Sequence, residues 1–120
     1  MNLRLHFLVL LSCLALSSCG SFSGNIAFRS DSSKDVWVQR VEGFSYPPPV
    51  GILTGGHSQH SRLGRMRMPE EVIIHWSHQW HKSDQTSRVS LTGVRRPTGD
   101  EELLFVFRDG AGWGASVSAE

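Results

Sequence analysis

The chain has 120 residues, with 12 Lys plus Arg against 11 Asp plus Glu, and 39% of its residues are hydrophobic. This length suits one domain with a hydrophobic core of its own. Because the net charge is close to zero, the chain has no basic excess for nucleic acid or for acidic lipid headgroups, and nucleic acid is excluded as a partner.

The amino terminus has the features of an export leader. Arg4 precedes an apolar run from Leu5 to Leu16. The run is too short for a membrane-spanning helix, which needs roughly 20 residues, but it suits the core of a signal peptide. We therefore expect residues 1–18 to be removed, which leaves basic and acidic residues equal in number.

The motif Leu16-Ser17-Ser18-Cys19 follows this run and resembles the lipobox of bacterial lipoprotein signal peptides. The resemblance implies Leu16 at the large apolar position, Ser17 and Ser18 at the small ones, and a diacylglyceryl group on Cys19. Two or more acyl chains hold a protein on a membrane, whereas one binds marginally. By the same resemblance, Gly20 in place of an Asp implies the outer membrane rather than the inner one.

Two alternatives compete with lipidation at Cys19. Ordinary secretory cleavage would leave Cys19 unmodified, and a second box, Leu10-Leu11-Ser12-Cys13, would move the cut. The second box leaves a shorter apolar core and places Leu where small residues are preferred. Cleavage before Cys19 also removes Cys13, so we expect no internal disulfide and a domain stabilised by core burial.

The segment that follows the lipobox is small and polar, and strand patterns begin after it. Residues 19–25 are predicted to be the lipidated Cys and a flexible tether to a single domain at residues 26–120. Ile26–Phe28 and Val36–Val41 read as a hairpin around the turn composition of residues 31–34. The apolar alternation slips within the second strand, which indicates either a bulge near Gln39 or burial of both strand faces.

Later segments continue the pattern of short strands. Residues 46–49 contain three consecutive prolines and are interpreted as a stiff crossover between two sheets, with a docking segment for an aromatic groove as the alternative. Residues 61–68 read as an edge strand or a loop. Glu71–Trp76 is the clearest strand, Leu103–Phe107 reads as a central strand, and a closing hairpin carries Trp113.

Together these patterns predict an all-β fold without a helical period. We expect a small antiparallel β-sandwich of immunoglobulin-like type with about seven short strands, or alternatively a small β-barrel. Segments spread along the mature chain, Val36-Trp37-Val38 and Pro69-Glu70-Glu71-Val72 among them, resemble small bacterial lipoproteins whose domain has no assigned function. Some relatives of that kind lie beside secreted toxic lipases.

Histidines are the candidate metal ligands. His75, His78 and His81 are spaced by three residues, which aligns ligands on a helix but not on a strand followed by a loop. We therefore predict solvated histidines rather than a metal site. The chain also lacks a Gly-x-Ser-x-Gly elbow, and the acidic run at residues 100–102 is predicted to be solvated. We expect no enzyme activity and no cofactor.

Two surfaces are candidates for partner contact. Arg62, Arg65 and Arg67, with the neighbouring Met66 and Met68, would offer a basic and adaptable surface to an acidic partner. The alternative is edge protection by charge. Trp80 lies in a polar loop and is the aromatic residue expected to be exposed.

The expected function is a non-catalytic, lipid-anchored protein of the cell envelope, acting as a structural or protein-interaction module. Its partners would be the membrane, through the lipid on Cys19, and an unknown envelope protein. One alternative is an immunity protein that neutralises a toxin acting in the periplasm. A second is a metal-binding envelope protein.

Overall fold

A computed structural model describes residues 20–119, so the predicted signal peptide and Cys19 lie outside the described residues. Within that range the chain forms strands and no helix, and hence no helix capable of crossing a membrane. The strands are β1 (Ser21–Phe22), β2 (Asn25–Ser30), β3 (Val36–Glu42), β4 (Ile52–Leu53), β5 (Ser58–Arg62), β6 (Met66–Arg67), β7 (Glu71–Ser77), β8 (Gln85–Ser90), β9 (Glu102–Arg108) and β10 (Gly112–Ser118).

The strands form two four-stranded sheets and a two-stranded one. One sheet has the order β10-β9-β2-β5, the other has the order β4-β3-β7-β8, and β1 pairs with β6. Every pair is antiparallel except β2 with β9, which is parallel. Each sheet has two open edges within the described residues, so the all-β sandwich is confirmed and the small barrel is wrong.

The core lies between the two large sheets. Strand β7 alternates as predicted, with Val72, Ile74 and Trp76 buried. The Trp76 ring lies 4.6 Å from that of Phe107 in the opposite sheet and 6.5 Å from that of Trp113. Each fully buried side chain of this size contributes about 1.5–3 kcal/mol, so these contacts hold the sheets together.

The predicted first hairpin is wrong, because β2 and β3 lie in different sheets. Residues 31–35 connect the sheets instead. The backbone N–H of Asp31 donates to the carbonyl of Phe107, and the hydroxyl of Ser32 donates to the Asp109 carboxylate at 2.7 Å. The turn-forming composition of this segment suits both a hairpin and a connection between two sheets, so the sequence could not distinguish these two structures. The predicted bulge is confirmed between Val38 and Arg40.

The proline segment also has a different role from the predicted one. Strand β4 pairs with β3 in the same sheet, so residues 46–49 are not a crossover between sheets. They form part of a wide loop between neighbouring strands, and Pro48 in that loop is buried.

Residues 20–25 belong to the folded domain, which corrects the predicted tether. Strand β1 pairs with β6, and the Phe22 side chain is only 1% exposed. Gly24 has a φ of +78°, and a Cβ added there would lie 1.9 Å from the carbonyl oxygen of Gly64. The small residues that suggested flexibility instead permit close approach of two backbones.

The sandwich has two distinct ends, which strand β7 defines. β7 begins at Glu71 and ends at Ser77, which pairs with Trp37. Met68, shortly before Glu71, donates its backbone N–H to the carbonyl of Gly20 at 2.7 Å. We call the end with Gly20 and Glu71 the proximal end and the end with Trp37 and Ser77 the distal end. The seven residues of β7 separate them by about 20 Å.

Candidate functional site

An exposed aromatic cluster occupies the distal end. Trp80 is 60% exposed, and its ring stacks on Trp37 with centroids 5.4 Å apart and an interplanar angle of 20°. The His81 ring meets both indoles edge-on, at 5.3 Å from Trp37 and 4.5 Å from Trp80. We call Trp37, Trp80 and His81 the aromatic platform.

The local sequence explains how this platform is held in place. Val36 and Val38 are buried in the core, so the alternation of β3 directs Trp37 to the outer face of its sheet. The turn after β7 is closed by a hydrogen bond from the Gln79 N–H to the Ser77 hydroxyl oxygen, at 3.0 Å. This turn returns Trp80 over Trp37.

The same turn contains a strained residue. His81 has a φ of +63°, and it is the one residue other than glycine with positive φ between residues 20 and 119. A left-handed conformation is uncommon for a residue with a side chain and costs of order 1–3 kcal/mol. Such strain concentrates at functional sites, which singles out this turn as a candidate.

A cavity of about 190 Å³ opens beside the platform and is lined by Asp35, Trp37, Ile52, His78 and Trp80. The indole N–H of Trp37 is buried and has no hydrogen-bond partner among the described residues. His78 donates its Nδ1–H to the backbone carbonyl of Asp35 at 3.0 Å. The cavity is therefore lined by aromatic residues and by an acidic residue, which suits a cationic group.

The two predicted contact surfaces lie at opposite ends of the molecule. Trp80 is exposed, as its polar loop predicted, but it lies at the distal end. Arg65 and Arg67 lie beside Ser21, at the proximal end. Met66, predicted to be part of an adaptable surface, is 5% exposed and belongs to the core. The arginines and Trp80 thus do not form one site.

The candidate metal ligands have separate partners. His75 lies on the outer face of its sheet, with Nε2 3.1 Å from a Glu42 oxygen and Nδ1 3.4 Å from the Thr86 hydroxyl. The hydrogen bond to His75 lowers the pKa of Glu42. Within residues 20–119, no group of three His, Cys, Asp or Glu side chains converges in a way that could hold a metal ion.

One acidic residue that was predicted to be solvated is buried. Glu102 is 4% exposed, and one of its carboxylate oxygens lies 2.7 Å from Nδ1 of His60 on the edge strand β5. A buried carboxylate needs such a partner because an unpaired charge is costly to bury. A run of three acidic residues carries no sign of which member turns inward, so sequence reasoning missed this pair.

Sequence reasoning also missed the role of Trp37, which the platform requires. The alternation of β3 placed it on the opposite face from Val36 and Val38, but no local pattern joins it to a tryptophan in a later loop. Comparison with known proteins gave no further guide: no family model matches the chain, and no similar curated protein or solved structure was found.

Proposed function

We propose that this protein is a non-catalytic, lipid-anchored protein of the cell envelope, attached through Cys19 to the outer membrane, that binds an envelope protein through its aromatic platform. The observation that supports binding is the 60% exposure of Trp80, stacked on Trp37 beside an open cavity. Exposed tryptophans with a supporting ring are typical centres of interfaces.

The position of the platform suits an anchored protein. A lipid on Cys19 would be one peptide unit from Gly20, at the proximal end. The platform lies at the other end, about 20 Å further along β7. A protein anchored at the proximal end would therefore present its platform away from its own membrane, where an envelope partner can reach it.

The chemistry of the cavity indicates which group the partner offers. Indole faces attract cations, and the exposed carboxylate of Asp35 lines the same cavity. We assign the cavity to a Lys or Arg side chain of the partner.

The anchor is tested by mass spectrometry of the protein purified from membranes. The expected result is an amino-terminal Cys19 with diacylglyceryl and acyl groups, and release of a Cys19→Ser variant from the membrane fraction. An unmodified amino terminus at residue 19, or membrane attachment of the Cys19→Ser variant, would contradict the proposal.

The platform is tested by following the indole N–H signal of Trp37 in an NMR titration with Nα-acetyl-arginine amide. We expect a saturable shift that Trp80→Ala weakens about tenfold, through loss of the cation–π contact. Tyr46→Ala is the matched control, because Tyr46 is 58% exposed but follows Ser45, which lines a cavity at the proximal end. An equal shift of the Trp37 signal with neutral Nα-acetyl-glutamine amide would refute a cation site. So would a shift that a hexose produces and Nα-acetyl-arginine amide does not.

A further inference from the structure

A second cavity opens beside the aromatic platform, and we call it the donor pocket. Its volume is about 250 Å³, and it is lined by Gln39, Arg40, His75 and Ser83. Strand β3 and the loop of residues 78–84 contribute side chains both to the platform and to this pocket. The two sites are therefore neighbours on one surface of the molecule.

The bulge in β3 places two polar side chains in the donor pocket. Consecutive residues of a regular strand point to opposite faces of the sheet. The register shift after Val38 breaks this alternation, and Gln39 and Arg40 are both exposed although they follow each other in the chain. Bulges are frequent next to functional sites, where they redirect a side chain. The bulge thus gives the pocket two adjacent hydrogen-bond donors.

Arg40 is held at the pocket by contacts that leave part of its guanidinium group available. Its Nε lies 3.5 Å from a Glu42 oxygen, and one Nη lies 3.3 Å from Nε2 of His75. These contacts use two of the five N–H donors of a guanidinium, so a ligand can accept hydrogen bonds from the others. The amide of Gln39 and the hydroxyl of Ser83 can donate to the same ligand.

The charges of the surrounding elements balance, so the pocket attracts an anion through local donors and not through net charge. The charged residues of β3, β7, β8 and the loop of residues 78–84 are Arg40, Lys82 and Arg88 against Glu42, Glu71 and Asp84. Glu71 pairs with Arg88 at 2.7 Å, and Asp84 lines a different cavity. Glu42 contacts Arg40 and His75 but does not line the donor pocket.

We propose that the donor pocket binds the carboxylate of an Asp or Glu in the same partner segment whose Lys or Arg enters the cavity beside the platform. This inference rests on the proposed function, which supplies the partner. The fork of donors on an arginine matches the two oxygens of a carboxylate. Trp37 and Gln39 are about 7 Å apart along β3, which equals the distance between residues i and i+2 of an extended segment. The acidic residue therefore lies two positions from the basic one.

The test compares two blocked peptides in an NMR titration that follows the indole N–H signal of Trp37. One peptide is Nα-acetyl-Glu-Gly-Arg-Gly-Glu amide, and the other has Gln in place of both Glu residues. We expect the Glu peptide to bind about threefold more tightly, because a contact with the exposed Arg40 contributes modestly. The Arg40→Gln variant should bind both peptides equally.

Arg88→Gln is the matched control, because it removes the same charge from the same sheet outside the donor pocket. It should retain the preference for the Glu peptide. A preference that persists in Arg40→Gln, or that Arg88→Gln removes as completely, would overturn the inference. Equal binding of both peptides to the unsubstituted protein would overturn the donor pocket but leave the cation site, whereas no shift with either peptide would contradict the proposed function as well.

Discussion

Substitution of Phe22 by Ala tests whether the segment after Cys19 is part of the core. The Phe22 side chain is 1% exposed and belongs to the same core cluster as Ile26 and Met66. Truncation of a buried Phe removes its transfer free energy and leaves a cavity, at a cost of about 3–5 kcal/mol. In a domain of this size 1 kcal/mol shifts the melting temperature by about 4–8 °C, so we expect a decrease of at least about 12 °C.

The measurement is urea and thermal unfolding of the chain from Cys19 onward, followed by tryptophan fluorescence. If the slope of the unfolding free energy against urea concentration is unchanged, the variant has altered stability and not the compactness of the folded or unfolded state. Tyr46→Ala is the control, since it truncates an aromatic residue that is 58% exposed and should cost about 0.5 kcal/mol or less. If Phe22→Ala changes stability no more than this control, residues 20–25 are a tether and the described packing of β1 is wrong.

Two further predictions concern single positions. Gly24→Ala should lower the free energy of unfolding by more than about 3 kcal/mol, because the added Cβ would lie 1.9 Å from the Gly64 carbonyl oxygen. Gly93→Ala is the control, since Gly93 also has a positive φ of +83° but has open space where the Cβ would be. It should lower the free energy of unfolding by less in the same urea assay. The ion pair with Arg95 lowers the pKa of Glu101 from 4.5 to about 2. The ion pair therefore stabilises the fold fully above pH 4.5, and this stabilisation is lost as the pH falls towards 2. Glu101→Gln should make the urea midpoint depend less on pH between pH 4.5 and 2. An unchanged pH dependence of the urea midpoint would contradict the ion pair.

Local patterns were reliable where one strand face is buried and the other is not. The alternation of Val72, Ile74 and Trp76 predicted β7, because a period of two can be satisfied only by a strand with one face in the core. The phase slip near Gln39 indicated a bulge or burial of both faces, and the pairing of β3 with β7 shows the bulge. Both features depend on neighbours in the chain, so they can be read without knowing the fold.

Patterns failed where one composition serves two structures. The polar residues 31–34 suit a hairpin turn or a change of sheet, and only the hydrogen bond between Ser32 and Asp109 at the far end of the chain distinguishes them. Residues 20–25 suit a tether or a tightly packed strand, and the close approach of Gly24 to Gly64 decides between them. Such contacts join distant residues and leave no local signal.

The sequence by itself predicts an export leader with a motif that resembles a lipobox, and it indicated a near-neutral domain, strand periodicity and an exposed Trp80 in a polar loop. These follow from composition and from period-two alternation. Tertiary structure alone decided that Trp37 supports Trp80, that Arg65 and Arg67 lie beside Ser21, and that the two surfaces lie at opposite ends. The reason is physical: strand register and sheet order bring distant segments together through contacts that no local sequence pattern encodes.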